Sequence, residues 1–331
     1  MLDLVQNAKS IALTTHLNPD GDGFCASLAL QRILTQMGKP NLIITDADDL
    51  SRYVFLLENQ IIPASEILPF SKCNSTEFDL VFVLDCNSYD RLGERRSLVD
   101  KAKWTILLDH HVVEHNPIKA DLSFIDTKYA SVGAIIYSWL KPQIIALNEG
   151  DRLFVANCLY TTILNDTNNF TNANTNEAVF LLASELSELG VTPHVLYKEF
   201  FQNNTAEEMC YVGETLATIE LHNERRILTM HSTLEMRLRN KLDPDSVMNI
   251  TRWVQGVHGL SGIIYLREEE PGLFKISLRS VKLNVNAIAV QYGGGGHRQA
   301  SGCTIAGNLA DIKASLIRDV SKAIEDCETK P

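Results

Sequence analysis

The sequence predicts an α/β protein: a first half built on a parallel sheet with helices on both faces, then a smaller α+β domain. Three observations carry this. Short continuous apolar runs, Ile11–Thr15, Leu80–Leu84 and Trp104–Leu108, are interspersed with longer stretches of helical period. That is the pattern of strands buried on both faces. Each run leads directly into histidine or aspartate, His16, Asp85 and Asp109, and α/β folds work at their strand ends. Beyond about residue 205 the pattern changes to strand-like runs closed by one long amphipathic stretch.

In chain order, Ile11–Thr15 is the first strand, and the turn after it carries His16, Asn18, Asp20 and Asp22. Pro19 fixes one backbone angle, while Gly21 and Gly23 are expected to permit a tight path that turns alternate side chains inward. Phe24–Met37 reads as a helix with Leu28, Leu30, Ile33 and Leu34 on its apolar face, ended by Gly38 and Pro40. Leu42–Ile44 is a short strand and Leu50–Leu57 a helix. Asp46, Asp48 and Asp49 read as solvated loop charge. Leu80–Leu84 and Trp104–Leu108 are the next strands. Ser131–Leu140, Asp151–Leu164 and Thr175–Leu189 are helical by period, the second ending at Asn165-Asp166-Thr167. Thr192-Pro193, an N-cap followed by proline, starts a helix to about Phe201.

The polar QNNT stretch interrupts the pattern, so the division expected is a first domain over 1–190, a linker helix region over 191–205 and a second domain over 206–331. In that second domain Arg226–Met230 and Gly262–Leu266 are strand-like, and Leu273–Leu278 returns across Pro271-Gly272 as a hairpin. Leu309, Ile312, Leu316, Val320 and Ile324 form the stripe of a closing helix.

With 331 residues, 45% hydrophobic and 21% charged, the chain suits two ordinary globular domains. Neither an apolar leader at its start nor a run of membrane-spanning length is present, so no membrane partner and a cytoplasmic location are expected. The seven cysteines (25, 73, 86, 158, 210, 303 and 327) are scattered and never spaced as CxxC, against both a disulfide framework and a zinc knuckle. A net charge of −11 disfavours long duplex DNA on a broad basic face. Short anions held through divalent ions stay compatible, because such ions invert the charge of an acidic site.

Gathered by type, the first half offers His16, Asp20, Asp22, Asp85, His110 and Asp166, with Asp109 and His111 beside them. Several carboxylates with a few imidazoles are what a pair of divalent ions needs to clamp the attacking and departing oxygens of a phosphoryl group. Mixed oxygen and nitrogen donors suit Mn²⁺ well and Mg²⁺ less well, and the lack of thiolates weakens a zinc reading. In the second half Gly293, Gly294, Gly295 and Gly296 let backbone N–H groups approach an anion without side chains intervening. Arg279 can grip a phosphate bidentately, and Ser280 and His297 can add hydrogen bonds. The run is neither a Walker A loop nor a Rossmann fingerprint.

One order of segments is specific. HLNPDGD at 16–22, Asp85 after a strand, DHH at 109–111 and NDT at 165–167 resemble motifs I to IV of the DHH phosphoesterase superfamily. SLRS at 277–280 and GGGGHRQASG at 293–302 resemble the DHHA1 domain attached to one branch of it. Length and layout look like the bifunctional oligoribonuclease and 3′-phosphoadenosine-5′-phosphate phosphatase (NrnA-type) group rather than the longer exonuclease RecJ. The resemblance implies a first metal on His16 and Asp20, a second on Asp22, His110 and Asp166, and Asp85 bridging them. It further implies that Asp109 orients the ring of His110 and that His111 contacts the scissile phosphate.

The activity implied is a Mn²⁺-dependent phosphoesterase, with Mg²⁺ as the alternative ion and two ions per site. Its substrates would be short RNA oligonucleotides, the 3′-phosphate of 3′-phosphoadenosine 5′-phosphate, or both, with a homodimer as the assembly allowed. The alternatives are a cyclic-dinucleotide (c-di-AMP/pApA) phosphodiesterase and a non-catalytic nucleotide-binding module. Three positions depart from the family pattern: Gly23-Phe24-Cys25-Ala26 stands where small residues near ALGS are usual, Asn168 where glycine is common, and Thr171 where an arginine often sits.

Overall fold

Apolar runs without a polar interruption assemble the first sheet. The chain is seen in a computed structural model that describes residues 1–45, 50, 53–57, 66–73, 76–113, 115–242 and 250–328. Asp46, Asp48 and Asp49, and Ser51 and Arg52 of the expected helix, lie outside the described residues, as does the side chain of His297. Two units, Met1–Asn203 and Asn204–Pro331, each carry their own core.

The first unit begins with α1 (Leu2–Asn7), β1 (Ile11–Thr14), α2 (Gly21–Gln36), β2 (Asn41–Ile44) and α3 (Val54–Leu57). Then come β3 (Ile67–Leu68), β4 (Leu80–Leu84), α4 (Tyr89–Leu92), α5 (Arg96–Lys101), β5 (Trp104–Asp109) and β6 (Leu122–Ile125). It closes with α6 (Val132–Ile145), α7 (Glu149–Asp166), α8 (Glu177–Glu188) and α9 (Pro193–Phe201). The six strands pair in parallel in the order β3-β2-β1-β4-β5-β6. That order reverses between β1 and β4, so a crevice opens beyond their carboxyl ends, where open α/β sheets bind ligands.

Alternate residues of β4 and β5 feed two cores. Phe82, Leu84, Ile106 and Leu108 join α2, α6 and α7 on one face, while Val81, Val83 and Leu107 join Phe70, Leu92 and Leu98 on the other. Helix α2 is buried from Gly21 through Leu34, which is why its sequence is apolar almost all round. It starts three residues before the predicted Phe24, because the Asp20 side chain accepts the N–H groups of Asp22 and Gly23 as an N-cap. Its one buried cation, Arg32, meets Asp151 of α7 at 3.2 Å.

The QNNT stretch that interrupts the pattern is also a helix start. Thr205 and Glu208 make a reciprocal capping box at the head of α10 (Ala206–Leu216). The second unit continues with β7 (Glu220–His222), β8 (Ile227–Ser232), α11 (Leu234–Arg239), β9 (Gly262–Glu270) and β10 (Leu273–Arg279). It ends with α12 (Val285–Gln291), β11 (Gly295–His297), β12 (Ala300–Ala306) and α13 (Leu309–Glu328). The sheet order is β11-β12-β10-β9-β8-β7, antiparallel except for the parallel β8–β9 pair. Helices α12 and α13 cover one face through Ile276, Leu278, Leu316 and Val320. On the other face Val212, Ile250 and Val254 pack on Leu228, Met230, Ile263 and Tyr265, covering β8 and β9. No single helix among the described residues is long and apolar enough to cross a membrane.

Candidate metal centre

Strand ends and tight backbone bring the predicted side chains of the first unit to one place. His16 follows β1, Asp20 and Asp22 stand at the head of α2, Asp85 follows β4, and Asp166 ends α7. Asp109 is the last residue of β5, with His110 and His111 next. Asp85 lies in the left-handed region at φ 55°, a sparsely populated conformation for a residue with a side chain.

Three groups of ligand-type atoms result, each within 4.8 Å of one another: His16, Asp20 and Asp85; Asp22, His110 and Asp166; and Asp85, Asp109, His110 and His111. His16 Nε2 lies 3.8 Å from Asp20 and 3.4 Å from Asp85. His110 Nε2 lies 2.9 Å from Asp166 and 3.5 Å from both Asp22 and Asp85. Asp85 therefore faces both histidines, one with each carboxylate oxygen.

The supporting contacts aim these groups. His16 Nδ1 meets the Leu17 carbonyl at 2.7 Å, which leaves Nε2 to point into the cluster. Asp22 accepts the N–H groups of Val132 (2.6 Å) and Gly133 (3.1 Å), so the first turn of α6 fixes it. Asn165 donates to Asp166 while its carbonyl accepts from Gly21, tying α7 to α2. None of these three supports was expected from sequence; the Ser131 N-cap signal before Val132-Gly133 was the visible hint of the second.

Two expectations need correction. Asp109 does not reach the ring of His110 in any described hydrogen bond. Its Oδ1 accepts the backbone N–H groups of His110 and His111 and contacts His111 Nδ1 at 2.9 Å, because a carboxylate at a strand end curls onto the turn that follows. Gly21 and Gly23 are helical, with no positive φ, so space rather than a special backbone angle is what they supply. A Cβ on Gly23 would lie 2.2 Å from Thr15 Oγ1 and 3.4 Å from Asp85, and one on Gly21 would strike Phe200 and Asn165.

The electrostatics ask for a cation. Burial alone would lower the imidazole pKa values, but Asp20 and Asp85 raise His16 to about 10. Asp166 and Asp85 likewise raise His110 to about 12, and Asp109 and Asp85 raise His111 to about 9. Burial, then repulsion from Asp166 and Asp85, pushes Asp22 well above the carboxylate range. Burial also lifts Asp166, to about 6. Against its own burial, Asp85 is held well below that range by the three histidines. His16 Nε2, Asp85 Oδ1, His110 Nε2 and Asp166 Oδ2 are buried and face one another at 2.9–3.5 Å, yet none completes a well-aligned hydrogen bond. Each such atom costs about 1–3 kcal/mol unless something pairs it. The donor set of carboxylates and imidazoles fits divalent ions such as Mn²⁺ or Mg²⁺. The nearby thiols do not join it: Cys25 and Cys86 are buried in the two apolar cores.

In the second unit the glycine run is a hairpin edge rather than a loop. Gly295 pairs with Gly302, Gly296 with Ser301 and His297 with Ala300. Gly293 (φ 73°) and Gly296 (φ 135°) need the freedom of glycine, and a Cβ on Gly294 would sit 2.1 Å from the Gly302 carbonyl; beside Gly295 there is room. The Ser280 hydroxyl donates to Ser261 O and accepts from Lys282 and Leu283, which saturates it as a turn cap. Arg279 lines an open cleft with Gly293, Gly294 and Gly295.

Comparison with known proteins agrees with both halves. The DHH family N-terminal domain matches residues 10–163 and the DHHA1 domain matches residues 237–328. The chain belongs to the DHH/DHHA1 phosphoesterases. Among DHH/DHHA1 relatives, a bifunctional oligoribonuclease and PAP phosphatase NrnA of Thermus thermophilus is 28% identical, over 90% of this chain and 84% of its own. The protein of the same name from Mycoplasma pneumoniae is 24% identical, over 98% and 93%. The fold of an exopolyphosphatase-related protein from Bacteroides fragilis superposes with a TM-score of 0.88 at 20% identity, covering 99% of this chain and 96% of that one.

Proposed function

We propose that this DHH/DHHA1 phosphoesterase is a Mn²⁺-dependent hydrolase of short oligoribonucleotides, of the 3′-phosphate of 3′-phosphoadenosine 5′-phosphate, or of both, acting in the cytoplasm. The observation that carries the reading is the convergence of buried carboxylates and imidazoles at the carboxyl ends of β1, β4 and β5, in groups whose ligand atoms lie within 4.8 Å of one another. His16 and Asp20 would hold one ion and Asp22, His110 and Asp166 the other, with Asp85 shared between them. When bound, such a pair supplies Lewis-acid charge for in-line displacement at phosphorus.

The chain's own residues do the rest. Asp109 positions His111, whose ring would donate toward a phosphate oxygen as charge develops there. The first turn of α6 keeps Asp22 from swinging away. The division of labour proposed gives catalysis to the first unit and anion selection to the second, through Arg279 and the open side of Gly295. The names of the NrnA relatives support the substrate class.

The test is hydrolysis of di- to pentaribonucleotides, 3′-phosphoadenosine 5′-phosphate and cyclic dinucleotides with Mn²⁺ and then Mg²⁺. Turnover of the first two classes, with Mn²⁺ preferred, is expected. Turnover of cyclic dinucleotides alone, or of none, would overturn the proposal.

A further inference from the structure

The outer face of β10 holds a feature the hydrolytic centre does not use. Phe274, Ile276 and Leu278 point into the core under α12 and α13, so Lys275, Ser277 and Arg279 share the opposite face. The second apolar layer stops at β9, where Ile263 and Tyr265 stand beside Arg279 and Ser277. Past it, β10 and β12 floor an open cleft of about 570 Å³. Between the two cations that floor is low, with Gly302 beside Ser277 and Ala300 beside Arg279.

The charge of this cleft opposes that of the whole protein. Among the described residues no aspartate or glutamate lines it, although the chain carries a net charge of −11. Glu269 of the adjoining strand is engaged by Arg267 and Arg237. Neither Lys275 nor Arg279 has a carboxylate partner among the described residues. Arg279 is tied by Nη1 to the Leu278 carbonyl at 2.9 Å, which keeps its guanidinium at its own end of the cleft. Lys275 and Arg279 stand four residue steps apart along β10, about 13 Å between their Cα atoms.

We infer that Lys275 is a length-determining residue: with Arg279 it binds two phosphates of one linear phosphodiester chain that are not neighbours. The spacing exceeds what the two phosphates of a single nucleotide bridge, and it suits phosphates two nucleotide steps apart. A mononucleotide bisphosphate or a dinucleotide reaches Arg279 alone, whereas a trinucleotide or longer strand also reaches Lys275. The inference rests on the oligonucleotide reading above.

The test compares the full chain with Lys275→Ala and Lys275→Arg, using 5′-phosphorylated oligoadenylates of two, three and five residues and 3′-phosphoadenosine 5′-phosphate. Lys275→Ala should raise KM for the three- and five-residue strands about threefold more than for the two shorter ligands, the worth of one exposed charge contact. Lys275→Arg should restore most of it. For the five-residue strand, log affinity against log salt should lose about 0.7 of its slope, one phosphate contact on a single strand. A KM change equal at every length, or no change, would overturn the inference. Equilibrium binding of the same strands in chelator reads the cleft without turnover. If the wild-type chain hydrolyses none of them, the functional proposal fails, and length-dependent loss of binding still decides the role of Lys275.

Discussion

Asp85→Asn is the most informative single change at the centre. Asparagine tolerates the left-handed backbone that residue 85 adopts, so the substitution removes charge while keeping shape. The carboxylate lies 3.2–3.5 Å from nitrogens of His16, His110 and His111. Among the described residues it is the group that faces both proposed ion positions. Changes in groups that merely support metal ligands cost about 10–100-fold in affinity, so loss of the shared ligand should cost about 100-fold or more. The arithmetic for stability follows. At a Mn²⁺ concentration about 100 times Kd, binding adds about 2.7 kcal/mol to the wild-type protein. For a unit of about 200 residues that is a rise in Tm of roughly 5–11 °C. With affinity 100-fold weaker, the same Mn²⁺ adds only about 0.4 kcal/mol, roughly 1 °C. Thermal melts with and without Mn²⁺ read the difference, and turnover should fall about 10³-fold alongside. A variant that kept both the Mn²⁺-dependent rise and wild-type turnover would refute the reasoning.

Further outcomes follow from the same geometry. His16 and His110, raised to about 10 and about 12, and Asp22, held well above the carboxylate range, must give up protons before they can ligate, so metal loading at pH 7 should release at least two protons and tighten as pH rises. Calorimetry in buffers of different ionisation enthalpy counts them, and no release would contradict the assignment. In the metal-free chain the sign is opposite. The stabilisation from these raised histidines is complete below about 6.5 and is lost as pH climbs through about 10–12, a decline that melts across that window should show. The glycine run separates by substitution. Gly294→Ala, with its methyl 2.1 Å from the Gly302 carbonyl, should lose about 1–3 kcal/mol of stability. Gly295→Ala, whose nearest atom is 4.0 Å away, should melt as wild type yet raise KM; an unchanged KM would remove Gly295 from the anion site.

Much of this was legible in the sequence, for physical reasons. Strands buried on both faces write themselves as unbroken apolar runs, so β1, β4 and β5 were visible, and with them the residues at their ends. Edge strands were not: β3 has two residues, and β6, LSFI, is only half-buried and lacks the continuous apolar signal. Helix α10 was missed because its cap lay inside what reads as a polar linker. At the centre, residue types and order pointed to the donor atoms, but not to what aims them. The hold of α6 on Asp22 joins residues more than a hundred positions apart, which no local pattern encodes. The alternation KISLR does place Lys275 beside Arg279 on one strand face; its meaning depends on the layer that stops at β9.

The most direct measurement of the central claim is anomalous diffraction from crystals of the full chain grown with Mn²⁺. The account predicts two peaks about 3.5–4 Å apart. One should lie against His16 and Asp20, the other against Asp22, His110 and Asp166, with Asp85 touching both. A single peak, or ions bound away from Asp85, would contradict it.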